Sequence, residues 1–144
     1  MREANGQRVI DSAWWTLRIT FGVVPLVAGL DKFLNLLTDW PRYIAPALQH
    51  MLPMSPQAFM HVVGIIEIVA GLAVLLSPWT RQFAYVVAAW LVGIALNLLA
   101  ARFFDVAVRD LVMAIGAVTL ARLTLVVEVP SVARGRLRPS VATS

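Results

Sequence analysis

The chain contains four apolar runs, and their length limits its fold more than any other feature. The runs cover residues 12–34, 57–77, 81–101 and 107–127. A helix of such a length crosses a hydrocarbon core of about 30 Å at about 1.5 Å per residue. Because backbone N–H and C=O groups find no water in lipid, each run must be helical. We therefore predict an all-α fold, a polytopic four-helix bundle in contact with a lipid bilayer.

The composition agrees with a membrane environment. Hydrophobic residues make up 60% of the 144 residues and charged residues 14%, whereas soluble domains have roughly 45–50% and about 25%. The chain has no cysteine, which excludes disulfides, thiolate nucleophiles and Cys-ligated zinc or iron–sulfur sites. The net charge of +4 comes without a basic face interleaved with aromatic residues, so no nucleic-acid partner is expected.

Positive charge predicts the orientation. With both termini inside, one group of arginines lies on or near the inner side: Arg2, Arg8, Arg18, Arg81, Arg122, Arg134, Arg136 and Arg138. A smaller group of cations lies on the outer side: Lys32, Arg42, Arg102 and Arg109. Because cytoplasmic segments are enriched in Lys and Arg, this bias predicts an N-in, C-in protein.

The orientation divides the chain into three parts. They are a cytoplasmic tail over 1–11, a transmembrane domain over 12–127 and a flexible cytoplasmic tail over 128–144. The long connection between the first two runs has apolar residues of its own, so we expect it to cap the outer face of the bundle.

Polar and ionisable residues collect toward the outer helix ends of the predicted bundle, and Glu67 lies deeper beneath them. Glu67 lies at the centre of the second run, where an ionised carboxylate facing lipid would be costly. Small residues recur every three or four positions between Arg18 and Lys32, which predicts that this stripe, with Lys32, faces the bundle. Other polar residues fall toward the outer helix ends: Asp31, Asn97, Arg102, Asp105, Arg109 and Asp110. Asp105 and Arg109 are spaced to pair along one helix, which leaves Lys32 or Arg102 for Asp110.

These residues are the candidate site. We predict that Glu67, Lys32 and Asp110 carry protons or charge, and that Asn97, Arg109 and Asp31 contact a substrate. A packing role stays open for each: a neutral Glu67 bonded to a neighbouring helix, Asn97 as a link between helices, and the charges as a network that fixes helix positions.

A metal site has weaker support. Five residues with imidazole or thioether groups follow one another in HMLPMSPQAFMH: His50, Met51, Met54, Met60 and His61. Such ligands suit Cu(I), but methionine is also a common apolar filler. The set stays a weak candidate, and neither copper nor haem is expected. No covalently bound cofactor is expected either, since phosphate-loop and hydrolase motifs are missing.

Three stretches resemble a known family. RITFGVVPLVAGLDKFLN is similar to the first helix of DoxX-like membrane proteins, which tend to show G-x-x-K there. GIIEIVAGLAVLL, followed by SPWTR, resembles their second helix, and FFDVAVRDLVMAIGAVTLARL resembles the last helix of one subgroup. The resemblance covers about residues 14–125 and implies a four-helix protein of the bacterial inner membrane.

The resemblance also implies redox work. One relative is the membrane subunit of a thiosulfate:quinone oxidoreductase, and others work with superoxide- and sulfur-handling partners. Membrane or periplasmic redox subunits are thus the implied partners, and a quinone is the implied cofactor. Carried over by position, the family-like polar residues are Lys32, Glu67, Arg109 and Asp110. Without cysteine, the chain itself cannot perform thiol–disulfide exchange.

Three functional hypotheses follow. The first is a subunit or anchor of a membrane redox complex with a quinone-accessible polar cavity. The second is a structural or assembly subunit without chemistry of its own, and the third a small transporter or proton carrier. The small-residue stripes also leave room for a homo-oligomer.

Overall fold

A computed structural model describes residues 2–136 of the chain and the side chains of residues 4–128. This part contains no strand; it has one 3-10 turn, Trp40–Tyr43, and five α-helices. The helices are α1 (Arg2–Leu34), α2 (Pro46–Met51), α3 (Pro56–Leu76), α4 (Thr80–Ala100) and α5 (Phe104–Arg136). Four of them hold stretches long and apolar enough to cross a membrane: Ala4–Leu34, Pro56–Leu76, Thr80–Ala100 and Phe104–Glu128. The predicted all-α membrane fold is confirmed, and its orientation stays a prediction.

The first and last spanning helices, α1 and α5, extend beyond the apolar runs from which they were predicted. Helix α1 begins at Arg2, because the polar residues before the first run are mostly good helix formers. Within this extension, Gln7 Nε2 donates to Asp11 Oδ1 at 2.9 Å, one turn along the helix. Helix α5 continues to Arg136, so the first part of the predicted flexible tail is helical. Residues 137–144 of that tail lie outside the described residues.

Glycines bring α1 and α3 into backbone contact. Helix α1 packs most extensively on α3, and α4 on α5, with less contact between the two pairs. A β-carbon added at Gly64 would lie 2.7 Å from the carbonyl oxygen of Gly29, and one added at Gly29 2.6 Å from that of Gly64. Gly71 approaches the Gly22 carbonyl in the same way. The small-residue stripe of α1 therefore faces the bundle, as its spacing predicts.

Residues 35–55, here called the cap, close one end of the bundle. Helix α1 stops where Asn35 adopts a left-handed φ of 51°, and the Asn35 N–H donates to the Asp31 carbonyl at 2.7 Å, a common helix ending. The chain then forms the 3-10 turn and α2. Ile44 and Ala45 of the cap are buried, so the cap is a packed segment.

Two apolar clusters stack along the bundle. The larger one lies away from the cap and contains Trp14, Phe21, Val74, Ala84, Val87, Ala88, Ala117, Leu120 and Ala121. The smaller one, beneath the cap, contains Ile44, Met60 and Val63. Along α3, Glu67 falls between the two clusters, and it is buried. A polar layer thus separates the two apolar clusters.

At the end opposite the cap, Arg18 binds the last turn of α3. Its Nε donates to the Val74 carbonyl at 3.0 Å, and its Nη2 donates to the carbonyls of Leu75 and Ser77, each at 3.0 Å. A guanidinium at a helix C-terminus satisfies carbonyls that have no partner within the helix. Arg18 therefore fixes the start of the short α3–α4 connection.

Candidate functional site

Lys32 and Glu67 form a buried ion pair. Lys32 Nζ lies 2.6 Å from Glu67 Oε2, and the two side chains are only 4% and 9% exposed. Lys32 comes from the last turns of α1, and Glu67 from the middle of α3. Gly64 makes the approach feasible, since a β-carbon there would lie 3.2 Å from Lys32 Cβ. A buried pair of this kind neutralises two groups that would each be costly in a membrane interior.

Trp40 covers the lysine. The centre of its ring lies 3.7 Å from Lys32 Nζ, a cation–π contact. Its Nε1 donates to Asp31 Oδ2 at 2.7 Å. The cap therefore supplies one wall of the site.

Trp90 and Asp110 complete the surroundings of the pair. The buried Nε1 of Trp90, from α4, lies beside the Glu67 carboxyl, but the contact does not have the geometry of a full hydrogen bond. Asp110, from α5, is buried and lies within electrostatic range of both Glu67 and Lys32. We call Lys32, Trp40, Glu67, Trp90 and Asp110 the Lys32 cluster. It takes one residue from each spanning helix and one from the cap.

Arg109 pairs with its neighbour in sequence. Its Nε lies 3.1 Å from Asp110 Oδ1, and the Arg109 side chain is 62% exposed whereas that of Asp110 is 4% exposed. The expected Asp105–Arg109 pair is therefore replaced by an Arg109–Asp110 pair, which the long, flexible side chain of arginine allows. Asp110 meets Arg109 rather than bonding directly to Lys32 or Arg102. The pair links the buried cluster to the surface near the cap.

Asp31 and Asn97, both predicted to contact substrate, hold the cap in place. Asp31 Oδ1 accepts from the backbone N–H groups of Leu36 and Leu37, at 3.0 and 3.2 Å. Asn97 Oδ1 accepts from the Ala45 N–H at 2.9 Å, and its Nδ2 donates to the Tyr43 carbonyl at 2.7 Å. Both side chains therefore form hydrogen bonds with the cap backbone. They can reach it because both residues lie near the helix ends next to the cap.

The imidazole and thioether groups lie in different surroundings. Met51 of α2 is 80% exposed, whereas Met60 is buried beneath the cap. His61 stacks on Phe33 with ring centres 4.8 Å apart, and its Nε2 lies 2.9 Å from Gln57 Nε2. Among the described residues, no group of three or more His, Cys, Asp or Glu side chains is arranged for a metal ion. The five residues stay a weak candidate for Cu(I).

Sequence reasoning assigned no site role to Trp40 or Trp90. Trp40 follows the first apolar run, where a tryptophan is expected at the membrane interface. Trp90 lies seven residues before Asn97, on the same face of the predicted helix. A tryptophan within an apolar helix is a usable signal, because its N–H needs a partner when buried.

The fold and the cluster define a class: a four-helix integral membrane bundle with a buried acid–base pair between its helices. Residues 13–102 match the DoxX family model. The chain belongs to the DoxX family, and the predicted resemblance is confirmed. No curated protein and no solved structure matches the chain.

Proposed function

We propose that this DoxX protein is the membrane subunit of an oxidoreductase complex of the bacterial inner membrane, and that the Lys32 cluster receives the head group of a quinone. The observation that carries the proposal is the buried Lys32–Glu67 pair, with the Trp90 N–H beside the same carboxyl. Ionisable groups inside a membrane bundle mark functional sites by default.

The donors of the cluster suit a quinone. An ammonium carries three N–H donors, and among the described residues Glu67 is the one hydrogen-bond acceptor that Lys32 Nζ meets. A quinone carbonyl could accept from Lys32 or from Trp90 Nε1, which lies in the same cluster. Two donors of this kind would fix the ring in the membrane without a covalent bond.

Proton transfer gives the acids a role. Reduction of a quinone to a quinol consumes electrons and protons in equal number. The redox partner implied by the family would supply the electrons, and Glu67 would pass protons to the quinone oxygen. The exposed Arg109, bonded to the buried Asp110, connects the cluster to the aqueous edge from which Glu67 would be reprotonated.

Quinone binding tests the proposal directly. We expect decylubiquinone to quench the tryptophan fluorescence of the protein in lipid nanodiscs, because Trp40 and Trp90 belong to the cluster. Its affinity should fall about tenfold or more in Glu67→Gln and Lys32→Met, as expected when a hydrogen bond to a charged group is lost.

Two further variants sharpen this test. The double variant Lys32→Met/Glu67→Met replaces the pair by apolar side chains of similar length, so it should fold and still lose binding. Asp105→Asn, an exposed acid on α5, is the matched control and should bind as the wild type does. Equal quenching of the wild type and the double variant would remove the quinone site and leave an assembly role.

A further inference from the structure

The Asp31 carboxylate accepts hydrogen bonds from three residues in the first part of the cap and so ties this part to α1. It receives the N–H groups of Leu36 and Leu37 and the indole N–H of Trp40. The bond from Trp40 is the shortest, 2.7 Å from Nε1 to Oδ2. One side chain therefore orders the loop that leads to Trp40 and also the ring itself.

The position of the Trp40 ring determines how far the Lys32 side chain is exposed. Glu67 takes one donor of the ammonium at 2.6 Å, and the Trp40 ring lies over Nζ with its centre at 3.7 Å. Lys32 is consequently 3% exposed although it stands near the end of α1. An indole that moved away would uncover the donors that Glu67 leaves unused.

We infer that Asp31 is a positioning residue, which holds Trp40 over Lys32 and so controls the access of water and of ligand to the Lys32–Glu67 pair. A ligand ring that enters the site takes the place of the Trp40 ring over the ammonium. The identity of the ligand that enters rests on the proposed function, whereas the covering of Lys32 by the Trp40 ring does not.

Because the sequence contains one lysine, the access of a reagent to Lys32 can be measured directly. Lys32 is the single lysine of the sequence, so a water-soluble amine-reactive acetylating reagent followed by peptide mass spectrometry reports on one side chain. The amino terminus is an internal reference for the reagent. Radical footprinting of Trp40, compared between the wild type and Asp31→Asn, gives a second readout that is independent of the protonation of the amine.

Three variants separate the roles. Trp40→Ala removes the cover, and Asp31→Asn weakens the bond that holds it. Trp40→Phe keeps a ring but loses the N–H, and it leaves the bonds of Asp31 to Leu36 and Leu37 intact. We expect Lys32 to be acetylated about tenfold faster or more in Trp40→Ala, and several-fold faster in the other two.

The controls and outcomes are distinct. Trp79→Phe, an exposed tryptophan at the opposite end, should leave the acetylation rate of Lys32 at the wild-type value. If Asp31 only orders the loop, Trp40→Phe will also match the wild type, and this result would overturn the inference even where Asp31→Asn fails to fold. Because no quinone is present, a changed acetylation rate without quinone binding would keep the inference and reject the proposed function.

Discussion

Lys32 and Glu67 each carry a charge into the apolar bundle, and the 2.6 Å contact between them makes both tolerable. Removing one partner leaves the other buried and unpaired, whereas removing both leaves an apolar interface. An apolar pair at these two positions could stabilise the interface equally well. Stability alone therefore does not explain why the positions carry charges.

At this scale we predict a strongly non-additive double-mutant cycle. Glu67→Gln or Lys32→Met should each lower the free energy of unfolding by about 3 kcal/mol, since a buried charge loses its partner. The double variant Lys32→Met/Glu67→Met should differ from the wild type by less than about 1 kcal/mol. Reversible unfolding in mixed micelles measures all four proteins. Additive losses would show that the two side chains do not stabilise each other.

At the scale of helices, the backbone contact between α1 and α3 sets the geometry of the ion pair. Gly29 and Gly64 face each other so closely that neither has space for a β-carbon. Helix association in lipid depends on such packing, because lipid is as apolar as the helix surface. Lys32 stands one turn beyond Gly29, and Glu67 one turn beyond Gly64, so the glycines and the charges share one interface.

We predict that Gly64→Val separates α1 from α3 at the level of the pair. Overpacking of this kind costs about 1–3 kcal/mol, and the Lys32–Glu67 distance should lengthen with it. Faster acetylation of Lys32 and a lower unfolding midpoint would report both effects. Gly93→Val is the matched control, because a β-carbon at Gly93 meets nothing within 4 Å. Equal loss in the two variants would mean that helix propensity, not the interface, is responsible.

At the scale of the whole molecule, the sequence predicted the spans and the inward stripe, since length, hydropathy and the spacing of small residues are local properties. It also placed Lys32 and Asp110 toward the outer helix ends, with Glu67 deeper in the bundle beneath them. It could not predict that Asp31 and Asn97 bind the cap backbone, because those bonds depend on how residues 35–55 fold back. The predicted partner of Arg109, Asp105, was wrong for a related reason. Helical spacing does not take into account that a long arginine side chain can reach the residue next to it in sequence.

The orientation of the bundle is the prediction that belongs to this scale. The predicted charge bias, eight arginines against four other cations, predicts that the cap and the Lys32 cluster lie nearest the outer surface. The chain has no cysteine, so single cysteines can be introduced without background. Met51 in the cap and Trp79 at the opposite end are 80% and 64% exposed. In right-side-out vesicles, a membrane-impermeant maleimide should label Met51→Cys at once and Trp79→Cys only after permeabilisation. The reverse pattern would place the termini outside, and the proposed proton route past Asp110 and Arg109 would then open to the cytoplasm.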